Sequence, residues 1–391
     1  MKFLRRTYAV LCREVGRIRK YPIYWVIMIV LPLLSFAFFA VLFENGVPTD
    51  IPVAVLDEDN SELSRTVVSM IDATPTAEVR YGIQSMEEGE AMMRAGEIQA
   101  IILIPHNFEK DIYNITQTHV EAYISGLNIS VNGLLNRDIQ TAVVTFSTGI
   151  QIQTLMKQGM TEAQAYTQVL PVSFDKHVLF NPYTNYAYYL LPSFLPMMLL
   201  IFTIMATIFA IGTELKGSTA GEWFRVAEGS LGAALVGKLL PVTVAMFTMS
   251  VVMSFVMFVI VGAPMNGSFL LFTLAGFEFV LCYQAIGMMI ISVLSNMRLS
   301  LSIGGGYSVL AFTFSGLTFP LMAMDPLARG FSRIFPFTFY TDIFVDQALR
   351  GAPIVYSLLD MVWMSLFIIL PMLALPRLRR VATDSKYWGR I

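Results

Sequence analysis

The segment Gly232-Ala-Ala-Leu-Val-Gly237-Lys238-Leu239 has the G-x-x-x-x-G-K spacing with which a phosphate-binding loop wraps a nucleotide. Leu239 stands where Ser or Thr holds magnesium, no strand precedes the segment, and an apolar run follows. It therefore reads as small residues that let helices approach, with Lys238 snorkelling to the membrane surface. Glu278 and Asp360 fall inside apolar runs. A charge at the bilayer centre costs roughly 2.5–3.5 kcal/mol on insertion scales, so such groups face protein or water. Glu278 is thus a candidate intramembrane substrate or proton site, and Asp360 reads as a packing acid. Asp57-Glu58-Asp59 lacks the Gly and distal Glu of an EF-hand and reads as a solvated strand-to-helix turn. His106, His119 and His177 are scattered, and Cys12 and Cys282 are isolated. With no G-x-S-x-G and no H-E-x-x-H, neither a catalytic cluster, a metal site nor a resident cofactor is expected, and the chain has no visible means of hydrolysing ATP.

The elements that position these residues are mostly membrane helices. Only 14% of the chain is charged, against about a quarter in soluble proteins. A bilayer-crossing helix needs about 20 apolar residues. Residues 22–43 satisfy this and end in Val41-Leu42-Phe43 with no cleavage site, so they read as a retained anchor. Further runs lie at 187–212, 233–262, 269–294, 299–321 and 354–376, the fourth and fifth spans joined by a tight hairpin at 295–298. The positive-inside rule puts both termini in the cytoplasm. Residues 1–21 hold seven bases and one acid, and the tail at 377–391 adds Arg377, Arg379, Arg380, Lys386 and Arg390. The expected fold is an α-helical polytopic membrane protein of six spans. This charge asymmetry signals sidedness across a membrane, not nucleic-acid binding.

Residues 44–185 hold 18 acids and seven bases and are too polar for the membrane. Strands at Ile51–Leu56, 77–82, Gln99–Ile104 and Val120–Ile124, with helices at 61–73 and 84–95, predict a small extracytoplasmic α/β domain inserted between spans 1 and 2. A long helix over 128–168 returns the chain to the second span. In the basic leader, Leu4, Tyr8, Leu11, Val15 and Ile18 recur at helical spacing, with arginines on the other faces. That pattern predicts an amphipathic helix over 1–21 lying among lipid headgroups.

The segment Gly212-Thr-Glu214-Leu-Lys216-Gly217-Ser-Thr219-Ala-Gly-Glu222-Trp223 is followed by Gly237-Lys238-Leu-Leu-Pro241, then Ser315-Gly316-Leu-Thr-Phe-Pro320, Met324-Asp-Pro326 and Phe335-Pro336-Phe-Thr338. This ordered set resembles the permease subunits of ABC-2 type exporters, chiefly bacterial multidrug-export-like members with a large extracytoplasmic domain after the first span. The resemblance implies a transport subunit, not an enzyme, in the bacterial inner membrane, with ATP and magnesium bound by separate ABC ATPase subunits. It also implies a homodimer or a heterodimer with a similar permease, a periplasmic adaptor, and a hydrophobic or amphipathic cargo. The loop at 213–232 is similar to the family's ATPase-coupling segment, giving Glu214, Lys216, Gly217, Thr219 and Glu222 that role; Ser218 separates the Gly and Thr that the family pattern places together. The segment 322–353 is similar to the family's outer re-entrant helices. There Leu327, Phe331, Ile334 and Phe335 form an apolar stripe, and Asp342, Asp346 and Arg350 share a face. Phe331, Phe335, Asp346 and Arg350 are the expected outer gate, and Gly304-Gly-Gly306 offers a close helix interface.

Two other functions fit parts of the sequence. An ion-coupled secondary transporter centred on Glu278 predicts repeated groups of spans, which the sequence does not display. A membrane sensor using the exported domain predicts a cytoplasmic output domain, which the 15 residues at 377–391 do not supply.

Overall fold

A computed structural model describes residues 2–389 apart from 173, 175, 182–184 and 318, so Arg390 of the basic tail and Thr318 of the Gly316–Pro320 segment lie outside the described residues. The chain divides into two compact units, one formed by Met1–Gly46 with Val178–Ile391 and the other by Val47–His177. It begins with α1 (Lys2–Lys20) and α2 (Ile23–Leu42), the latter widened by a π-helical turn at Val26–Val30.

The Val47–His177 unit alternates strand and helix: β1 (Ile51–Asp57), α3 (Glu62–Asp72), β2 (Ala77–Gly82), α4 (Met86–Ala95), β3 (Ala100–Ile104), α5 (Phe108–Tyr113) and β4 (Glu121–Ile124). The sheet order is β2-β1-β3-β4, with β1 parallel to both neighbours and β4 antiparallel to β3. Both faces of β1 are buried, Val53 and Val55 on one side and Ala54 and Leu56 on the other. That burial explains its unbroken apolar run. The acidic turn is a hydrogen-bonded loop: Asp57 accepts from the Asp59 and Asn60 amides at 3.0 and 2.9 Å, and Ser61 caps α3. The single helix expected over 128–168 is two, α6 (Ile129–Lys157) and α7 (Glu162–Val169). Gly159 adopts φ +99° between them, a left-handed turn that ends a helix, and Thr161 with Gln164 forms the capping box that starts the next.

The larger unit continues with α8 (Tyr186–Lys216), α9 (Ala220–Val226), α10 (Leu231–Ile260, closing in a π turn at Val256–Ile260), α11 (Phe269–Leu294) and α12 (Met297–Thr313). Two short helices follow, α13 (Pro326–Ser332) and α14 (Pro336–Phe344), the second running into a π turn at Val345–Arg350. Finally α15 (Ile354–Ile369) passes through a 3₁₀ stretch into α16 (Leu375–Thr383). Among the described residues five helical stretches are long and apolar enough to cross a membrane: α2, α8, α10, α11 and the joined α15–α16. The chain is a polytopic helical membrane protein with a small sheet. The run expected at 299–321 is helical only to Thr313, giving α12 17 residues, about 25 Å at 1.5 Å per residue. Gly316, at φ +89°, follows its end. Gly304 packs on Ile204 and Ile208 of α8, whereas Gly305 and Gly306 meet nothing within 4 Å.

Candidate coupling site

The loop expected at 213–232 is largely helical, because α8 extends to Lys216 and α10 starts at Leu231. Between them the chain turns through Ser218 at φ +54° into α9. Alongside lies α1, seated on the start of α10 where Gly237 lacks a side chain. A Cβ there would stand 2.6 Å from the Thr7 carbonyl oxygen and 2.7 Å from the Val10 Cβ.

This close approach joins charges from three distant segments. Lys238 Nζ donates to Glu14 Oε2 at 2.6 Å and to Glu214 Oε1 at 2.8 Å. Arg13 grips Glu214 with both terminal nitrogens, at 2.5 and 3.1 Å. Arg17 lies 2.5 Å from Glu214 Oε1 and also donates to Thr213 and Thr219. The Thr219 hydroxyl donates to Glu214, and the Tyr24 hydroxyl to Glu14. Trp223 places its ring 5.2 Å from Lys238 Nζ and donates its Nε1 proton to the Ala234 carbonyl. Glu14, Glu214 and Lys238 are buried, their side chains at most 1% exposed. Burying a charge is tolerated only with close, hydrogen-bonded partners, and removing one partner strands the other. Here three cations face two buried anions, with Glu222 at the rim, 3.6 Å from Arg13, as the balancing third.

Three expectations are corrected by this geometry. Lys238 does not snorkel outward, because its amine is claimed by two carboxylates that local sequence does not reveal. Part of the polar face of α1 does not look into water: Arg13, Glu14 and Arg17 turn into the protein, whereas Arg5, Arg19 and Lys20 stay exposed, and of the apolar stripe Leu4 and Tyr8 are exposed while Ile18 is buried. Glu214 is not presented at the surface. The exposed members of the expected coupling set are Lys216, Gly217 and Glu222, with Thr219 half-buried beneath them. Around this rim Arg5 and Arg6 pair with Glu228, holding its carboxyl below the usual carboxylate range through the Arg6 and then the Arg5 hydrogen bond. From the tail, Trp388 packs over Gly221, and the Gly389 amide donates to the Leu215 carbonyl at 3.0 Å.

The second expected site is more dispersed. Phe331 and Phe335 are 5.3 Å apart by ring centroid, Phe314 edges Phe331 at 4.9 Å, and Tyr307 meets Phe335 at 5.3 Å. The stripe is not one buried face: Leu327, Phe331 and Ile334 are exposed and Phe335 alone is buried. Asp346 pairs with Arg350 at 3.3 Å, but Asp342 pairs with Arg333. Gln347, which sequence reading passed over, holds this region. Its Oε1 accepts from the Ser268 amide at 2.9 Å and its Nε2 donates to the Ser357 hydroxyl at 2.8 Å. Gln347→Leu strands the buried Ser357 hydroxyl and removes the partner of the half-buried Ser268 amide, and should cost about 1–3 kcal/mol, read as a lower melting temperature in detergent. Glu278 accepts from Ser365 of α15 at 2.7 Å, and Asp360 is half-buried on the same helix.

The sequence model of the ABC-2 family transporter proteins matches residues 22–375. The chain belongs to this family. The probable multidrug ABC transporter permease YbhS of Escherichia coli K12 is 21% identical over 352 residues, 89% of each chain, and its counterpart in Escherichia coli O157:H7 matches equally. As an ABC-2 permease the chain is a transport subunit and not itself catalytic, and the ATPase is a separate subunit with which it associates. The buried charges had a signal in the sequence. Glu14 is the lone acid in residues 1–43, and Lys238 is the lone base between Arg225 and Arg298. A lone acid on a basic helix and a lone base at the start of an apolar one are candidates to pair.

Proposed function

We propose that this permease drives export of hydrophobic or amphipathic compounds out of the cytoplasm or inner membrane of a bacterial cell, powered by two ATPase subunits that bind ATP and magnesium. In this reading two permease chains form the pathway, each with six spans, both termini are cytoplasmic, and the Val47–His177 unit lies outside, where an adaptor would meet it. The multidrug description of the relatives supports the cargo class. The observation that carries the reading is the exposed Lys216–Gly217–Glu222 rim resting on the buried Glu14–Lys238–Glu214 cluster. A load applied to α9 passes through ion pairs into α1, α8 and α10 together. The rim residues contact the ATPase, and Glu214 transmits.

The test is co-purification. A Lys216→Glu chain should retain its melting temperature, since that side chain is exposed and stands outside the buried cluster, while losing its ATPase partner and its transport in proteoliposomes. An unchanged complex and unchanged transport would remove the rim from the docking surface. At the other end the aromatic pair closes the pathway, so Phe331→Ala/Phe335→Ala should leak dye from proteoliposomes in the absence of ATP. Tight vesicles with normal transport would assign the pair to packing alone.

A further inference from the structure

The apolar stripe of α1 has a use that coupling does not absorb. Beyond exposed Leu4 and Tyr8, Leu11, Val15 and Ile18 form one wall of a cavity of about 460 Å³, with Met28 of α2 and Val244 of α10 opposite. That volume lies within the range of small-ligand pockets, roughly 300–1,000 Å³. Every lining residue but one is uncharged. The exception is Arg19, which among the described residues has no ion-pair or hydrogen-bond partner, in contrast to Arg13 and Arg17 on the same helix. Trp25 also lines the groove and is 47% exposed, and Val244 is 58% exposed on a helix long and apolar enough to cross a membrane, so the groove has an open side.

We propose that this groove is a binding site for one anionic phospholipid of the surrounding membrane, an acyl chain lying along Val15, Met28 and Val244 and the phosphate on Arg19. The order of groups matches that of a lipid. Arg19 is at the end of α1, Trp25 sits where interfacial tryptophans sit, and the apolar wall follows. A guanidinium offers a phosphate two parallel donors. The partial negative charge at the end of α1 opposes this, but it is about half a charge against a full one. The π turn at Val26–Val30 carries Met28 and Ile29 into the wall. Bound there, the lipid would bridge α1, α2 and α10, and the seat of α1 would depend on membrane composition.

The test uses the full-length chain, delipidated in mild detergent and titrated with dioleoylphosphatidylglycerol or dioleoylphosphatidylcholine under native mass spectrometry. One phosphatidylglycerol per chain should persist, at least tenfold more tightly than phosphatidylcholine. Arg19→Gln should abolish that preference. Val244→Trp, a change at an exposed position, should fill the groove and release both lipids. Retained preference in Arg19→Gln, or unchanged lipid occupancy in a folded Val244→Trp chain, would overturn the site and leave only annular lipid.

Discussion

Lys238→Met should lower the stability of the permease by about 3–5 kcal/mol, the cost of breaking a buried ion pair from one side, and should abolish transport. Glu214 keeps Arg13 and Arg17. Glu14 is worse placed: it retains the Tyr24 hydroxyl at 3.2 Å and the Arg17 Nε at 4.0 Å, with its own side chain 1% exposed. The loss therefore falls mainly on the Glu14 side of the cluster. Neutralising that stranded acid should recover part of it, so Glu14→Gln/Lys238→Met should melt above Lys238→Met alone. A double-mutant cycle in detergent measures this coupling. If the two changes simply add, Lys238 and Glu14 do not interact, and the cluster is not the joint between α1 and α10.

Gly237→Leu should dislodge α1 without touching any charge. The first added carbon already meets the Thr7 carbonyl oxygen and Val10 Cβ well inside contact distance. One of the partners is backbone, so a rotamer change cannot relieve the clash. Overpacking of this kind costs typically 1–3 kcal/mol, and lifting α1 also opens the ion pairs beneath it. Arg13 and Arg17, each 16% exposed in the seated helix, should become accessible. Tryptic cleavage after these two residues should quicken by at least tenfold, whereas Gly237→Ala should give an intermediate rate. Cleavage at the wild-type rate in Gly237→Leu would mean that α1 is not held by this contact.

The elements whose pattern is local were legible in the sequence. Short apolar or alternating runs between turn-forming clusters mark the four strands, which start and stop within a residue or two of Ile51–Asp57, Ala77–Gly82, Ala100–Ile104 and Glu121–Ile124. Uniformly apolar stretches mark α2, α8, α10 and α11 for the same reason. Periodicity also groups the residues of α1 into faces, but it does not say what each face meets. The polar face met protein because Glu214 and Lys238 come from segments some 200 residues away. Reading Lys238 as a snorkelling cation rested on its neighbours in the chain, and none of those is its partner. Likewise 299–321 looks uniformly apolar, yet the Ser315-Gly316 turn leaves α12 short. Gln347 carried no sequence signal, being one amide among polar residues whose partners lie on two other segments.

The separation of Glu14 from Lys238 by 224 positions also sets a schedule. At about 5–20 residues per second of synthesis, Glu14 leaves the ribosome roughly 10–45 s before the lysine that neutralises it. For most of that interval the first span, which ends at Leu42, is already complete, while α1 carries a glutamate with no lysine to meet. A nascent chain arrested before residue 238 should therefore hold α1 loosely at the membrane surface. Glu214 and Glu228 supply partners for Arg13, Arg17, Arg5 and Arg6 slightly earlier, so the complete seat of α1 is expected only late in synthesis, once Lys238 joins them.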